Sequence, residues 1–502
     1  VTAAALALAL AACTSSPPDD RSSDGPATGT ATIALPVGAP PSSLDPAQLD
    51  LSASSYVWTA LYDTLLQVDS SATVQPNAAE SFTYSDDART LTLTLRDDLT
   101  FSDGAAVTAD DVVATIQRSK DTPGLAQGDT AHIESIEATD DRTVVLHLSA
   151  PDPQLLINLS SRLGVIGDPR TLDDPRTATD PVGSGPYVLD EAGTVDGTTY
   201  VLTRRDDHWN ADAYPFEQAT VRVIEDTTAT FNALQSGEVD AAWVDQSQAA
   251  RVEAQGYNTV ETEAIGVGTL ALMDRDGTVL PALADKRVRQ AINMAFDREQ
   301  YVEKLLMGAG RATEQIFNPI AGAYAEDLEG TYPYDPDGAK ELLAAAGYPD
   351  GFAVTMPSTY LSTTYEPSIT QSLADIGIEV TWEPIPPANV ATALFSRTYP
   401  MAFYQDGVNL PARELYNNFN PSGWLNPFGF EDPALTALMD EVAAIPDPAD
   451  ADALYQQINE YIVDEALTVP LVFSGNTMAT SPDISYTQLL TENSLRQFAP
   501  AE

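Results

Sequence analysis

The side chains best suited to covalent or metal chemistry are scarce in this sequence. Its 502 residues hold one cysteine, Cys13, and three histidines, His132, His147 and His208. A lone thiol near the start excludes an internal disulfide framework and a cysteine zinc cluster. No two histidines are spaced as helix-borne ligands, so no metal site is expected. His147 alternates with Val144, Leu146 and Leu148 in a strand-like stretch and is expected to face solvent. The chain has no Gly-x-Ser-x-Gly elbow, no Walker-type phosphate loop and no His-Glu-x-x-His. Asp274-Arg275-Asp276-Gly277 superficially suits calcium, but its glycine stands fourth rather than sixth, which reads as a turn. Gly183-Ser184-Gly185 could cradle a phosphate, yet Pro186 blocks helix continuation, so a turn is the better reading. A carboxylate pair of the glycosidase kind stays open, because 74 acidic residues supply candidates without singling one out.

Those 74 acids face 24 Lys and Arg, a formal charge of −50. Such a balance excludes sequence-independent nucleic-acid binding, which rests on basic side chains neutralising phosphates. It also argues against docking to anionic lipid through a basic patch. Two readings of the excess remain, a solvated acidic surface and a cleft that attracts cations. At 43% hydrophobic and 20% charged the chain is globular. Its length suggests roughly three lobes or subdomains at about 150 residues each.

Residues 1–12 (VTAAALALALAA) are small and apolar and run into Cys13-Thr14-Ser15-Ser16. Such a run is too short for a membrane-spanning helix and reads as the tail of a secretory leader. No basic segment precedes it, so the leader is expected to begin upstream of residue 1. Leu10-Ala11-Ala12-Cys13 resembles the bacterial lipobox, which makes Cys13 the candidate lipidation site. Residues 14–30, rich in Ser, Pro, Asp, Gly and Thr, cannot bury a core and read as a tether.

Beyond the tether, strands alternate with helices. Residues 90–95 (TLTLTL) place Leu91, Leu93 and Leu95 on one strand face. Thr108 caps a helix, with Asp111 completing a capping box ahead of Val112, Val113 and Ile116. Val288, Ala291, Ile292, Ala295 and Phe296 form one buried helical stripe. Asp335 and Pro336 open a further helix that Gly347 closes. Two more stripes follow, on Leu435, Leu438, Met439 and Val442, then on Leu454, Ile458, Tyr461 and Ile462. This mixture predicts α/β layers.

Eight separated blocks, in order, resemble family 5 of the bacterial extracellular solute-binding proteins, the peptide- and nickel-type receptors of ABC importers. They begin with Ser43-Leu44-Asp45-Pro46, Leu61-Tyr62-Asp63-Thr64-Leu65 and Pro76 to Phe82. The longest runs from Leu95-Arg96-Asp97-Asp98 through Phe101-Ser102-Asp103-Gly104 to Thr108-Ala109-Asp110-Asp111-Val112. Pro181 to Tyr187, Ser236 to Asp240, Arg287 to Ile292 and Asp335 to Phe352 complete the series.

The resemblance implies a two-lobed α/β fold of the periplasmic-binding-protein type (class II) with an extra subdomain inserted in lobe I. Residues 1–30 would be leader remnant, lipobox and tether. Residues 31–60, 178–265 and 470–502 would build lobe I, 61–177 the insert and 266–469 lobe II, with crossings near Ala264-Ile265-Gly266 and Val469-Pro470. The implied function is an extracellular or periplasmic receptor that captures a solute, a di- or oligopeptide first, and delivers it to membrane permease subunits. It would be a monomer, anchored by lipid at the outer face of the membrane, without cofactor, metal or catalysis. A secreted carboxylate hydrolase and a sensor without transport remain the alternatives. Implied ligand contacts are Ser42 and Ser43 before the first block, and Arg162 in the insert beside Ser160 and Ser161. In lobe II they are Tyr404, Gln405, Asp406, Asn409 and Trp424. The family's tryptophan is missing from residues 403–411, and either Asp406 or Asn409 holds its acidic position. The nickel branch's histidine is absent between 390 and 430, which disfavours nickel.

Overall fold

The computed structural model describes residues 32–52, 54–445, 450–489 and 493–501. Cys13 and the tether lie outside the described residues. Alternation of apolar residues builds the first sheet, whose strand order is Thr32–Val37, Gln218–Val223, Thr199–Arg204 and Tyr187–Leu189. Its first two strands are parallel and the rest antiparallel. Ile33, Leu35 and Val221 bury one face against Trp58, Tyr62 and Phe216.

A second, antiparallel sheet orders Ala79–Tyr84, Thr90–Leu95, Thr143–Leu148 and Ile133–Asp140. Leu91, Leu93 and Leu95 are buried as their period-2 spacing requires. Helix Ala109–Asp121 packs Val112 and Ile116 onto that face. Its capping box is formed, since Thr108 N–H and Oγ1 both donate to Asp111 Oδ2. His147 is partly exposed and contacts Glu137.

The two halves of the molecule share a five-stranded sheet. Ala241–Val244, Val469–Thr480, Asn258–Leu272 and Met401–Gly407 lie in that order, and Gly310–Ala312 adds to Val469–Thr480. The long strands Asn258–Leu272 and Val469–Thr480 pair antiparallel, with register breaks between Thr262 and Gly266 and between Gly268 and Thr269. A break of this kind bends a strand and sharpens its twist. Leu270, Leu272, Phe403, Val469 and Leu471 bury their side chains with the helical stripe Val288, Ala291 and Ile292. Helix Pro336–Ala345 starts at Asp335, whose carboxylate accepts from Gly338 N–H, and Gly347 follows its end at φ 97°.

A helical layer completes the second half. Leu415, Phe419, Leu435, Ile458 and Ile462 form its core, and Ile157 from the inserted subdomain packs against it. The chain is a two-lobed α/β protein, and the short helix Leu155–Leu159 reaches this helical layer through Ile157. No helix among the described residues is long and apolar enough to cross a membrane.

Candidate functional site

A cavity of about 790 Å³ lies between residues 157–161, strand Ala241–Val244, the stretch 406–417 and residues 486–489. Its size falls within the roughly 300–1,000 Å³ of small-molecule sites. Strand Met401–Gly407 leaves the core at this point. Tyr404 is sealed in beneath, while Asp406 and Gly407 reach the cavity wall. The following loop supplies Val408, Asn409 and Leu410, and Pro411 then starts helix Pro411–Phe419 in its favoured first-turn position. Arg413 and Asn417, four residues apart on one helical face, both line the cavity.

The opposite wall comes from distant parts of the chain. Ser160 and Ser161 follow the short helix Leu155–Leu159, and Trp243 projects from Ala241–Val244. Tyr486 meets Trp243 edge-on at 5.8 Å, and Trp424 meets Tyr404 edge-on at 5.1 Å. Gln488, Asn493 and Gln497 add amides. Among the described lining residues Asp406 is the acid and Arg413 the cation, and none is histidine, cysteine or lysine.

Burial raises the Asp406 carboxyl above its ordinary pKa, and the Gly407 N–H donated to Oδ1 at 2.9 Å partly offsets this. No cation among the described residues pairs with it within salt-bridge distance. Behind the wall, Glu414 is fully enclosed. Its Oε1 accepts from Asn409 N at 3.2 Å and from Asn409 Nδ2 at 3.0 Å. Burial raises its pKa to about 8, to which the neighbouring Asp406 charge adds. The arrangement can clasp a ligand carrying both charges, with aromatic faces for its body.

Of the eight ligand contacts expected from sequence, Asp406, Asn409 and Trp424 line the cavity. Five are placed elsewhere. Ser42 is exposed and donates from N and Oγ to Asp50, and Ser43 Oγ accepts from Asp45 N within a turn. Arg162 is held by Asp129 at 2.7 Å, a pairing that satisfies a largely buried guanidinium. Tyr404 supports Trp424 from below, and Gln405, on the other strand face, donates to Ser474 Oγ at 2.9 Å. Sequence reasoning missed Arg413, Trp243 and Tyr486. Arg413 carried one signal, a charge in the first turn after the loop at 407–410. The two aromatics carried none, because their strands meet only in the folded chain.

A second cavity, of about 520 Å³, is lined by residues 296–302, 310–314 and 326–334, and three of its charged side chains are held by internal partners. Arg298 donates to Pro470 O and Asn293, Arg311 to Tyr324 and Glu326, and Glu314 accepts from Tyr332 N. The suspected phosphate cradle is structural. Ser184 Oγ accepts from Asp63 N, and a Cβ on Gly183 would lie 2.1 Å from Leu61 O. The suspected calcium loop is a turn in which Asp274 accepts from the N–H groups of Thr278, Val279 and Leu280.

Known proteins share this architecture. The family model described as bacterial extracellular solute-binding proteins, family 5 Middle, matches residues 73–426. The chain is 27% identical over 391 residues to heme-binding protein A of Haemophilus influenzae, covering 70% of this chain and 69% of that one. It is 29% identical over 362 residues to the glutathione-binding protein GsiB of Salmonella typhi, with 70% and 69% covered. In structure it resembles the periplasmic binding protein DppA of Helicobacter pylori, solved with the peptide STSA. That match has a TM-score of 0.74 at 24% identity and covers 94% of this chain and 98% of that one.

Proposed function

The chain belongs to the bacterial extracellular solute-binding proteins of family 5, the receptors of ABC importers, and we propose that its solute is a short peptide or a peptide-like zwitterion. The observation that carries this reading is the pair of opposite charges on one cavity wall, Asp406 and Arg413, among Trp243, Trp424 and Tyr486. A peptide with free ends offers an ammonium to the first, a carboxylate to the second and apolar surface to the aromatics. Inside a closed, water-poor cleft both charge-assisted bonds count for more than at a surface. On this reading the chain captures its solute without turnover, since the described lining residues offer one carboxylate where carboxylate hydrolysis takes two.

The lobes close about the two long strands, with the divisions near 265 and 469–470 and the insert at 61–177. Cys13 carries a lipid that holds a monomer at the outer membrane face, from which it hands solute to the permease. The lipobox-like Leu10-Ala11-Ala12-Cys13 supports that anchor. In a chain made with a complete secretion leader, Cys13→Ala releases the protein from the membrane. Retention of the variant removes the anchor.

Mass spectrometry of solute released from purified, denatured protein tests the ligand assignment. Recovery of peptides in near-stoichiometric amount supports it; a solute lacking a cationic nitrogen overturns it.

A further inference from the structure

The loop that follows Asp406 also fixes the direction of an amide. Asn409 Nδ2 has two hydrogens, and both have acceptors: Gly407 O at 2.9 Å and Glu414 Oε1 at 3.0 Å. Turning the amide over would set its oxygen against those two acceptors, so the hydrogen bonds determine which atom faces which way. Glu414 Oε1 is in turn held as an acceptor by the Asn409 backbone N–H, which can only donate. That holds whether Glu414 is charged or neutral.

Two oxygens are left over. Asn409 Oδ1 and Asp406 Oδ2 receive no hydrogen from the described residues, and neither is among the enclosed, unpartnered polar atoms. Both residues line the cavity, three positions apart, one at the end of strand Met401–Gly407 and the other in the loop after it. We infer that Glu414 is a positioning residue: it locks Asn409 with its carbonyl oxygen toward the cavity, so that Asn409 and Asp406 form an acceptor pair for a cationic nitrogen bearing at least two hydrogens. The pair selects a primary ammonium or guanidinium over a nitrogen of equal charge without hydrogens. This deepens the zwitterion reading and rests on it for the ligand, though not for the lock.

The test has one arm that needs no ligand. The Asn409 side-chain amide signals in a nitrogen-15 spectrum are identified by their loss in Asn409→Asp. In the wild type both hydrogens exchange slowly with solvent; exchange as fast as that of an exposed asparagine overturns the lock. The second arm measures trialanine against its N,N,N-trimethyl form, which keeps the charge and loses the hydrogens. The wild type prefers trialanine, and Glu414→Met, which removes the acceptor, narrows that preference about tenfold, the scale of one hydrogen bond. Glu414→Gln keeps an oxygen for Asn409 and recovers the preference to within about threefold. If Gln loses as much as Met, the charge of Glu414 acts and the positioning role is overturned. If neither variant narrows the preference, Glu414 only packs and the proposal is equally overturned. Should the Met variant not fold, the amide exchange of the wild type and the Gln variant still decides. Should the wild type bind neither peptide, the peptide reading falls while the exchange measurement judges the lock.

Discussion

Arg413 Nη2 donates to the buried Asn158 Oδ1 at 2.6 Å, joining residues 255 positions apart in the sequence. The guanidinium therefore serves two ends. One N–H ties helix Pro411–Phe419 to the short helix Leu155–Leu159, and the residue also lines the cavity.

Two variants separate those tasks. A hydrogen bond to a charged group is worth about 1.5–3 kcal/mol. Asn158→Leu should weaken capture of any ligand by up to that amount and increase the liganded radius of gyration in small-angle scattering. Arg413→Met should lose more, and lose it chiefly for ligands with a free carboxylate rather than the corresponding amide. Equal losses for acid and amide would leave the arginine as a tie alone.

Asp406 should set affinity for the ligand's cation. Truncating one partner of a buried charge pair costs about 2–5 kcal/mol, largely because the other charge is left unpaired. Asp406→Asn should therefore weaken a short peptide at least about 30-fold. N-acetylation of the peptide should be costly in the wild type and add little in the variant. Calorimetry on the four combinations checks this, and equal affinities of variant and wild type would show that Asp406 merely shapes the turn at Gly407.

Stability should fall with rising pH through the Glu414 carboxyl. Its folded pKa, raised by burial to about 8, lies above the ordinary glutamate value of 4.5. Between those values the folded state holds a proton that the unfolded chain has lost. The contribution is thus complete below about 4.5 and is given up as pH rises through about 8. Each pH unit of that window costs up to about 1.4 kcal/mol. Glu414→Gln should flatten the decline in melting temperature across this range. A variant that declines as steeply as the wild type would refute the assignment.

Gly185 should tolerate no side chain. A Cβ there would stand 2.4 Å from both Leu61 C and Tyr62 N, backbone atoms that cannot swing aside. Overpacking of this kind costs about 1–3 kcal/mol. Gly185→Ala should lower the melting temperature by several degrees, whereas Gly128→Ala, with no atom within 4 Å of its new Cβ, should not.

Local pattern carried the elements well. TLTLTL became a strand with its leucines buried, Thr108 and Asp111 formed their box, and Asp335 and Gly347 bracket a helix. Each of those signals lies within a few residues, where sterics and capping act. The site was legible only in one stretch of chain, at Asp406, Asn409 and Trp424. Arg162 looked available because Asp129, the carboxylate that holds it, lies 33 positions upstream. Trp243 and Tyr486 meet through strands separated by most of the second lobe. No spacing rule reaches that far.

The shared sheet also dictates the order in which the molecule can be completed. Val469–Thr480 sits between Ala241–Val244 and Asn258–Leu272, and the first core recruits Met478, Ile484, Leu495 and Phe498 alongside Ile33 and Leu35. The opening strand thus waits for the closing residues. A chain halted before Val469 leaves the middle of its largest sheet unfilled, with two unpaired edges and an open apolar face. Such a species is prone to aggregate. Synthesis from the amino terminus consequently cannot complete either of the two large cores before Val469–Thr480 has emerged. Strand Thr32–Val37 is made well before the residues that seal its core, and that lag is when this protein depends most on being kept apart from its neighbours.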